Sequence, residues 1–181
     1  MKIRKTLRLQ IGFLAGLIFI WRAHPTLGSF CIGLVFMAVG ECIRFVSAGT
    51  LIKFEGVTRN GIYSFTRNPL YVGSFLIGLG ACIMGKDILF FLVFLFLFPS
   101  LYFHVIKEEE SYLAGRYGED YLNYLNEVPR IIPRRFSLGE ILRETSPFLA
   151  VKNRELITLA GLIAVLVIMV IKMVMDYCFG D

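Results

Sequence analysis

Ile88-Leu89-Phe90-Phe91-Leu92-Val93-Phe94-Leu95-Phe96-Leu97-Phe98-Pro99-Ser100-Leu101-Tyr102-Phe103-His104-Val105-Ile106 contains no Lys, Arg, Asp or Glu. As a helix it would reach about 28 Å at roughly 1.5 Å per residue, close to the roughly 30 Å hydrocarbon core of a bilayer. Four other stretches share this character: Leu9–Trp21, Ala23–Gly40, Asn68–Gly85 and Leu156–Ile171. The two shorter ones are flanked by Arg8, Arg22 and Lys172, whose long stems can carry their charge to the interface. The five make up nearly half of the 181 residues, and the whole chain is 56% apolar and 18% charged. Its mean hydropathy is +0.68. A soluble domain carries about a quarter charged residues. The sequence therefore excludes a soluble enzyme, a nucleic-acid-binding domain and a disulfide scaffold. It predicts an all-α, polytopic membrane protein with five transmembrane helices.

The net charge of +5 follows the predicted topology. With the N-terminus in the cytoplasm, Lys2, Arg4, Lys5 and Arg8 lie inside, with Arg44, Lys53, Arg59 and Arg67. Lys107, Arg116, Arg130, Arg134, Arg135, Arg143, Lys152 and Arg154 join them, leaving Arg22, Lys86 and Lys172 outside. The basic surplus thus obeys the positive-inside rule, places the C-terminus outside and adds attraction to anionic headgroups. No aromatic and basic platform of the nucleic-acid-binding kind accompanies it. The N-terminus has the basic start and apolar run of a signal peptide, but Trp21-Arg22-Ala23-His24-Pro25 offers no small-x-small cleavage site, so a retained helix is expected. Cys31, Cys42, Cys82 and Cys178 lack metal-ligand spacing, and His24 and His104 are far apart. No metal site is expected.

Three regions follow: residues 1–47 with the first two helices, 48–133 as a core, and 134–181 with an interfacial segment and the fifth helix. Helices three and four form a hairpin turning at Gly85-Lys86-Asp87, with Pro99 as a kink point in the second arm. That arm is predicted to continue through Glu108–Tyr117, and a short helix, Glu119–Leu125, to end before Val128-Pro129-Arg130. Gly78-Leu79-Gly80 lies inside an apolar helix with no preceding strand, so it reads as close helix packing rather than a nucleotide loop.

Two polar segments, both on the predicted cytoplasmic side, carry candidate chemistry. In the first, Gly61 permits a turn, Asn68 is a natural N-cap, and Pro69 occupies the first helical turn, where its missing N–H costs nothing. The free N–H groups of such a helix start suit a carboxylate. An ordinary capped helix entry, with Arg67 reaching lipid phosphates, accounts for the same residues. The second segment begins Lys107-Glu108-Glu109-Glu110. Three consecutive Glu span about 200° of a helix, so at least one faces the protein or the interface. Either a solvated charge run or a carboxylate accepting from a ligand satisfies that requirement.

The pattern Gly61-x-Tyr63, Arg67-Asn68-Pro69-x-Tyr71-x-Gly73 is followed about forty residues later by Glu109-Glu110, Leu113, Tyr117-Gly118, Tyr121 and Tyr124, then by Val128-Pro129-Arg130. It resembles the isoprenylcysteine carboxyl methyltransferase family, and the related phospholipid N-methyltransferases share part of it. The resemblance covers about half the chain, from Arg44 to Pro133. It implies an S-adenosylmethionine-dependent enzyme whose cofactor lies in a cytoplasmic pocket above the helices. Tyr63, Arg67, Asn68, Pro69, Leu70, Tyr71, Glu109 and Glu110 are then the cofactor-binding candidates, with the backbone of Glu55–Thr58 as a further contact. The implied partners are the bilayer and a membrane lipid or lipid-linked acceptor.

Three departures stand out. Asn68 replaces a His common in the prenylcysteine enzymes. The family's substrate-contacting Arg, four residues before the cofactor Glu, is Val105 here, and the fifth helix lies outside the motif. Membrane NADPH-dependent sterol reductases share a Tyr-Gly, Tyr and Val-Pro ending and form an alternative. A non-catalytic protein on the same scaffold is another.

Overall fold

The computed structural model describes residues 14–52 and 56–179. The expected start of the first helix at Leu9, the basic residues Lys2, Arg4, Lys5 and Arg8, and the proposed contact at Glu55 lie outside the described residues. Among the described residues the secondary structure is helical, without strands. Helix α1 runs to residue 22. It is followed by α2 (Leu27–Thr50), one turn of 3-10 helix (Gly61–Ser64), α3 (Pro69–Gly85), α4 (Ile88–Tyr117), α5 (Glu119–Glu127), α6 (Leu138–Arg143), α7 (Pro147–Lys152) and α8 (Glu155–Phe179). Three of these, α2, α4 and α8, are long and apolar enough to cross a membrane. The 17 residues of α3 are apolar but reach only about 25 Å.

Local chemistry sets the boundaries. A reciprocal Thr26–Ser29 capping box opens α2. The hairpin turns where Lys86 adopts a left-handed conformation (φ 53°), and the Asp87 carboxylate then caps α4 by accepting from the Phe90 N–H at 3.0 Å. As expected, α4 continues to Tyr117 past its apolar portion.

The tightest packing joins α2 to α3 as an antiparallel pair. A Cβ added at Gly80 would lie 2.5 Å from the Gly33 carbonyl oxygen, and one at Gly40 would lie 2.6 Å from that of Gly73. The backbones meet one heptad apart in each helix, which only glycine allows. Gly80 is thus a packing residue, and a Cβ at Gly78 would strike the Phe94 ring at 2.4 Å. Helix α4 packs on α3, while α8 packs on α2 and α7. The Phe-rich run divides between these demands: Phe94 stacks on Phe75, Phe98 meets the same ring at a 57° tilt, and Phe96 points outward.

One end of the bundle is a charged cluster. Arg22 pairs with Asp87, and Lys172 donates to the carbonyls of Ile20 and Trp21 at 2.8 and 3.0 Å. The Arg22 hydrogen bond and the Phe90 N–H hold the Asp87 carboxyl below the usual carboxylate range. At the opposite end, Asn153 donates to the Ala48 and Leu51 carbonyls at 2.8 and 2.9 Å, satisfying the last turn of α2. The segment carrying α6 and α7 is thereby tied beneath the polar loop. It buries Ile141 against Ile62, Tyr63 and Phe65 and leaves Leu138, Leu142, Phe148 and Val151 exposed.

Candidate functional site

At that second end, the C-terminal turns of α2, the start of α3, the C-terminal half of α4, α5 and the first residue of α8 enclose a cavity of about 630 Å³. All eight cofactor-binding candidates line it: Tyr63, Arg67, Asn68, Pro69, Leu70, Tyr71, Glu109 and Glu110. So do Gly56, Val57 and Thr58 of the neighbouring loop, and Val105.

The loop reaches this place through backbone geometry. Gly61 has φ +55°, and any Cβ there would press on Thr50 at 2.9 Å. The turn delivers Tyr63 into a buried position, where its carbonyl accepts from the Tyr124 hydroxyl at 2.8 Å. Asn68 is the N-cap of α3 and Pro69 its first residue, as expected. The Asn68 side chain, however, makes no capping bond. Its Nδ2 donates instead to the Arg130 carbonyl at 3.1 Å, stitching the helix start to Val128-Pro129-Arg130. With Pro69 contributing no N–H, the Tyr71 and Val72 N–H groups turn back to the Asn68 carbonyl at 3.1 and 3.2 Å.

Arg67 does not reach outward to phosphates. Its side chain is only 11% exposed, its N–H donates to the Pro129 carbonyl at 3.0 Å, and its guanidinium contacts the Leu125 carbonyl at 3.3 Å and Glu110 at 3.5 Å. A guanidinium buried this far needs partners within the protein, which Glu110 and the Leu125 carbonyl supply.

The three glutamates separate cleanly. Glu108 is exposed. Glu110 is the one that turns into the protein, where Arg130 holds it in a two-pronged pair at 2.6 and 3.1 Å. This hydrogen bond raises the Arg130 pKa. Glu109 is exposed at the cavity wall, accepting from the Tyr71 hydroxyl at 2.8 Å. The buried face of α4 here passes through Ile106 and Glu110, four residues apart.

The phenols are held neutral. Burial, then the neighbouring Glu110 charge, pushes the Tyr121 pKa up to about 12. Burial also raises Tyr124 and Tyr63. All three line the cavity.

Among the lining residues that the motif-based reading did not name, Arg44 and Glu155 are paired with each other. They form a two-pronged pair at 2.7 and 3.1 Å, and Arg44 also donates to Ser74 at 2.5 Å and Thr158 at 3.2 Å. A signal was available: an Arg inside an apolar helix requires a partner. That partner lies 111 residues away, on a helix the motif does not include.

A family profile described as phospholipid methyltransferase matches residues 14–120. The chain belongs to the phospholipid methyltransferase family. Among curated relatives of this family member, the protein-S-isoprenylcysteine O-methyltransferase of Schizosaccharomyces pombe is 29% identical over 127 residues, covering 67% of this chain and 54% of that one. The Homo sapiens protein of the same name is 29% identical over 115 residues, covering 56% and 40%. That of Saccharomyces cerevisiae is 30% identical over 77 residues, covering 42% and 32%. The chain thus spans about half the length, or less, of the curated relatives it matches. No solved structure matches.

Proposed function

We propose that this protein is an integral-membrane S-adenosylmethionine-dependent methyltransferase acting on a lipid or lipid-linked acceptor, with residues 48–133 as its catalytic core. The observation that carries the reading is convergence: two motif blocks about forty residues apart supply eight side chains to one cavity. A volume of about 630 Å³ lies within the roughly 300–1,000 Å³ of small-molecule sites.

The residues present fit the donor's chemistry. Tyr63, Tyr71, Tyr102 and Tyr121 offer aromatic walls for adenine. Glu109 is balanced by the Tyr71 hydroxyl rather than by an arginine, so its carboxylate retains acceptor capacity for ribose hydroxyls or an ammonium. Glu110, neutralised by Arg130 and Arg67, serves as a clamp that holds α4, the helix start and the Val128–Arg130 turn together. When bound, the donor supplies an electrophilic methyl group for in-line displacement. The protein's contribution is then orientation, exclusion of water and electrostatics, none of which requires covalent participation.

The acceptor follows from the cavity's charges. Val105 lines the wall and cannot pair with an anion, while Arg44 and Arg67 are each engaged with a carboxylate and the third lining arginine, Arg116, donates to the Tyr112 hydroxyl at 2.9 Å. An acceptor held through a carboxylate at position 105 therefore has no counter-charge, and an unpaired charge there is costly. The lipid tail enters sideways between α4 and α8, which flank the α2–α3 pair. The reading further assigns five spans, with the N-terminus and cavity cytoplasmic and the C-terminus external.

The decisive experiment incubates the purified protein with methyl-labelled S-adenosylmethionine and total membrane lipid, and identifies the labelled product. Parallel titrations with S-adenosylhomocysteine and NADPH discriminate the classes. Saturable NADPH binding without S-adenosylhomocysteine binding would replace the methyltransferase reading with a reductase.

A further inference from the structure

Behind Tyr124, which lines both spaces, a second pocket of about 270 Å³ is walled by Arg59, Arg134 and Arg135 together with Ser64 and Glu127. Three guanidiniums line it with one carboxylate, Glu127, and because Arg59 also pairs with the Asp120 carboxylate at 3.9 Å, the remaining positive charge rests on Arg134 and Arg135. The Arg59 guanidinium lies 5.9 Å from the centre of the Tyr124 ring and donates to the Asp120 carbonyl. Arg135 lies over Phe65 at 5.6 Å, a stacking arrangement that leaves the N–H edge of a guanidinium available. Among the described residues, neither Arg134 nor Arg135 makes a hydrogen bond or an ion pair. Ser64 is already engaged with the Gly61 carbonyl at 2.8 Å and Glu140 at 3.1 Å, so the arginines carry the unspent donors.

Exposed apolar side chains flank the two arginines in sequence. Ile132, two residues before Arg134, is 80% exposed; Phe136, next to Arg135, is 69% exposed and packs on the lining Phe65 ring at 6.2 Å; and Leu138 is exposed two residues later. The same segment leads through α6 and α7 directly into α8, one of the three long apolar helices, and so lies at the level where a span meets the surface. Converging guanidiniums select a phosphate, whose oxygens accept paired N–H bonds, and exposed apolar side chains flanking them select an acyl chain.

We infer that the Arg59–Arg134–Arg135 pocket is a binding site for the phosphodiester of an anionic phospholipid, whose acyl chains lie along Ile132, Phe136 and Leu138. The inference is independent of the methyl-transfer reading. Its occupant is a component of the surrounding leaflet held beside Tyr124, rather than the acceptor in the first cavity.

Native mass spectrometry of the detergent-solubilised full chain, titrated with phosphatidylglycerol or phosphatidylcholine, tests the assignment. Phosphatidylglycerol is expected to be retained in preference. Each of Arg134→Gln and Arg135→Gln should weaken retention by about tenfold, the scale of a lost charge-assisted hydrogen bond. Arg143→Gln, a basic residue of the same segment outside the pocket, should leave it within about twofold. Both arginines are exposed, and unchanged thermal unfolding midpoints confirm that the variants fold. Equal retention by the parent and both pocket variants, or equal retention of the two lipids, overturns the proposal. Displacement of phosphatidylglycerol by millimolar inorganic phosphate would also overturn it, reassigning the pocket to a free anion.

Discussion

Replacing Glu108, Glu109 and Glu110 one at a time with Ala separates three adjacent carboxylates that differ in what they face. Glu109→Ala removes the partner of the Tyr71 hydroxyl and the cavity's acceptor without a guanidinium. A hydrogen bond to a charged group is worth about 1.5–3 kcal/mol, and because Glu109 is solvent-exposed the lower end applies, about tenfold in affinity for S-adenosylhomocysteine. Glu110→Ala acts differently. It strands Arg130, bonded at 2.6 and 3.1 Å, and Arg67 at 3.5 Å. Removing one partner of a fully buried pair costs about 3–5 kcal/mol. With Arg130 34% exposed, about 2–3 kcal/mol of stability is the discounted expectation, and binding falls as a consequence of unfolding. Glu108→Ala should alter neither quantity measurably. Calorimetry in detergent micelles reads the affinities, and thermal unfolding of the same samples reads the stabilities. Equal affinities for Glu108→Ala and Glu109→Ala would refute the assignment of Glu109 to the ligand. A parental unfolding midpoint for Glu110→Ala would refute the clamp.

Gly80→Ala should cost about 1–3 kcal/mol in unfolding, since its Cβ meets the Gly33 carbonyl at 2.5 Å, whereas Gly16→Ala, with open space around it, should be neutral or stabilising by about 0.5–1 kcal/mol. Raised tyrosine pKa values make the fold alkali-sensitive: the unfolded chain releases phenolic protons near 10 and the folded chain does not, so the stability from buried Tyr121 is full below pH 10 and lost as pH rises toward 12. Denaturant unfolding across that window should show a shallower decline for Tyr121→Phe than for the parent. Val105→Arg should not improve turnover of the native acceptor, and efficient methylation of a farnesylcysteine analogue by the unmodified protein would contradict the acceptor reading. Reporters inserted at Lys86 and at Arg134 should appear on opposite sides of the membrane; the same side for both would overturn the topology.

Much of this protein is legible in one dimension because membrane solvation acts on composition. A charge-free run such as Ile88–Ile106 announces its helix without knowledge of its neighbours, since every backbone polar group in lipid must be satisfied within the helix. Turn chemistry is similarly local: Gly61 and Pro69 mark their boundaries by conformational preference, and Asp87 by its capping carboxylate. That the eight motif residues share one cavity was legible as well, because the motif blocks sit at the ends of helices that a short hairpin must bring back together.

Orientation of individual side chains was not legible. Which of three consecutive glutamates turns inward depends on the placement of Arg130 and Arg67, and both are set by how α5 and the Val128–Arg130 turn fold back under α4. Asn68 looks like a cap in sequence because its preference for the N-terminal N–H groups is local; in the fold its Nδ2 donates to the Arg130 carbonyl, 62 residues away, and its side chain makes no capping bond. Arg44 declared only that it needed an anion, and Glu155, supplied by α8, answers from the far end of the chain. Composition and short-range geometry thus determined the helices and their order. Long-range pairing of buried charges, whose strength depends on ångström-scale distance and on exclusion of water, was decided only by the tertiary structure.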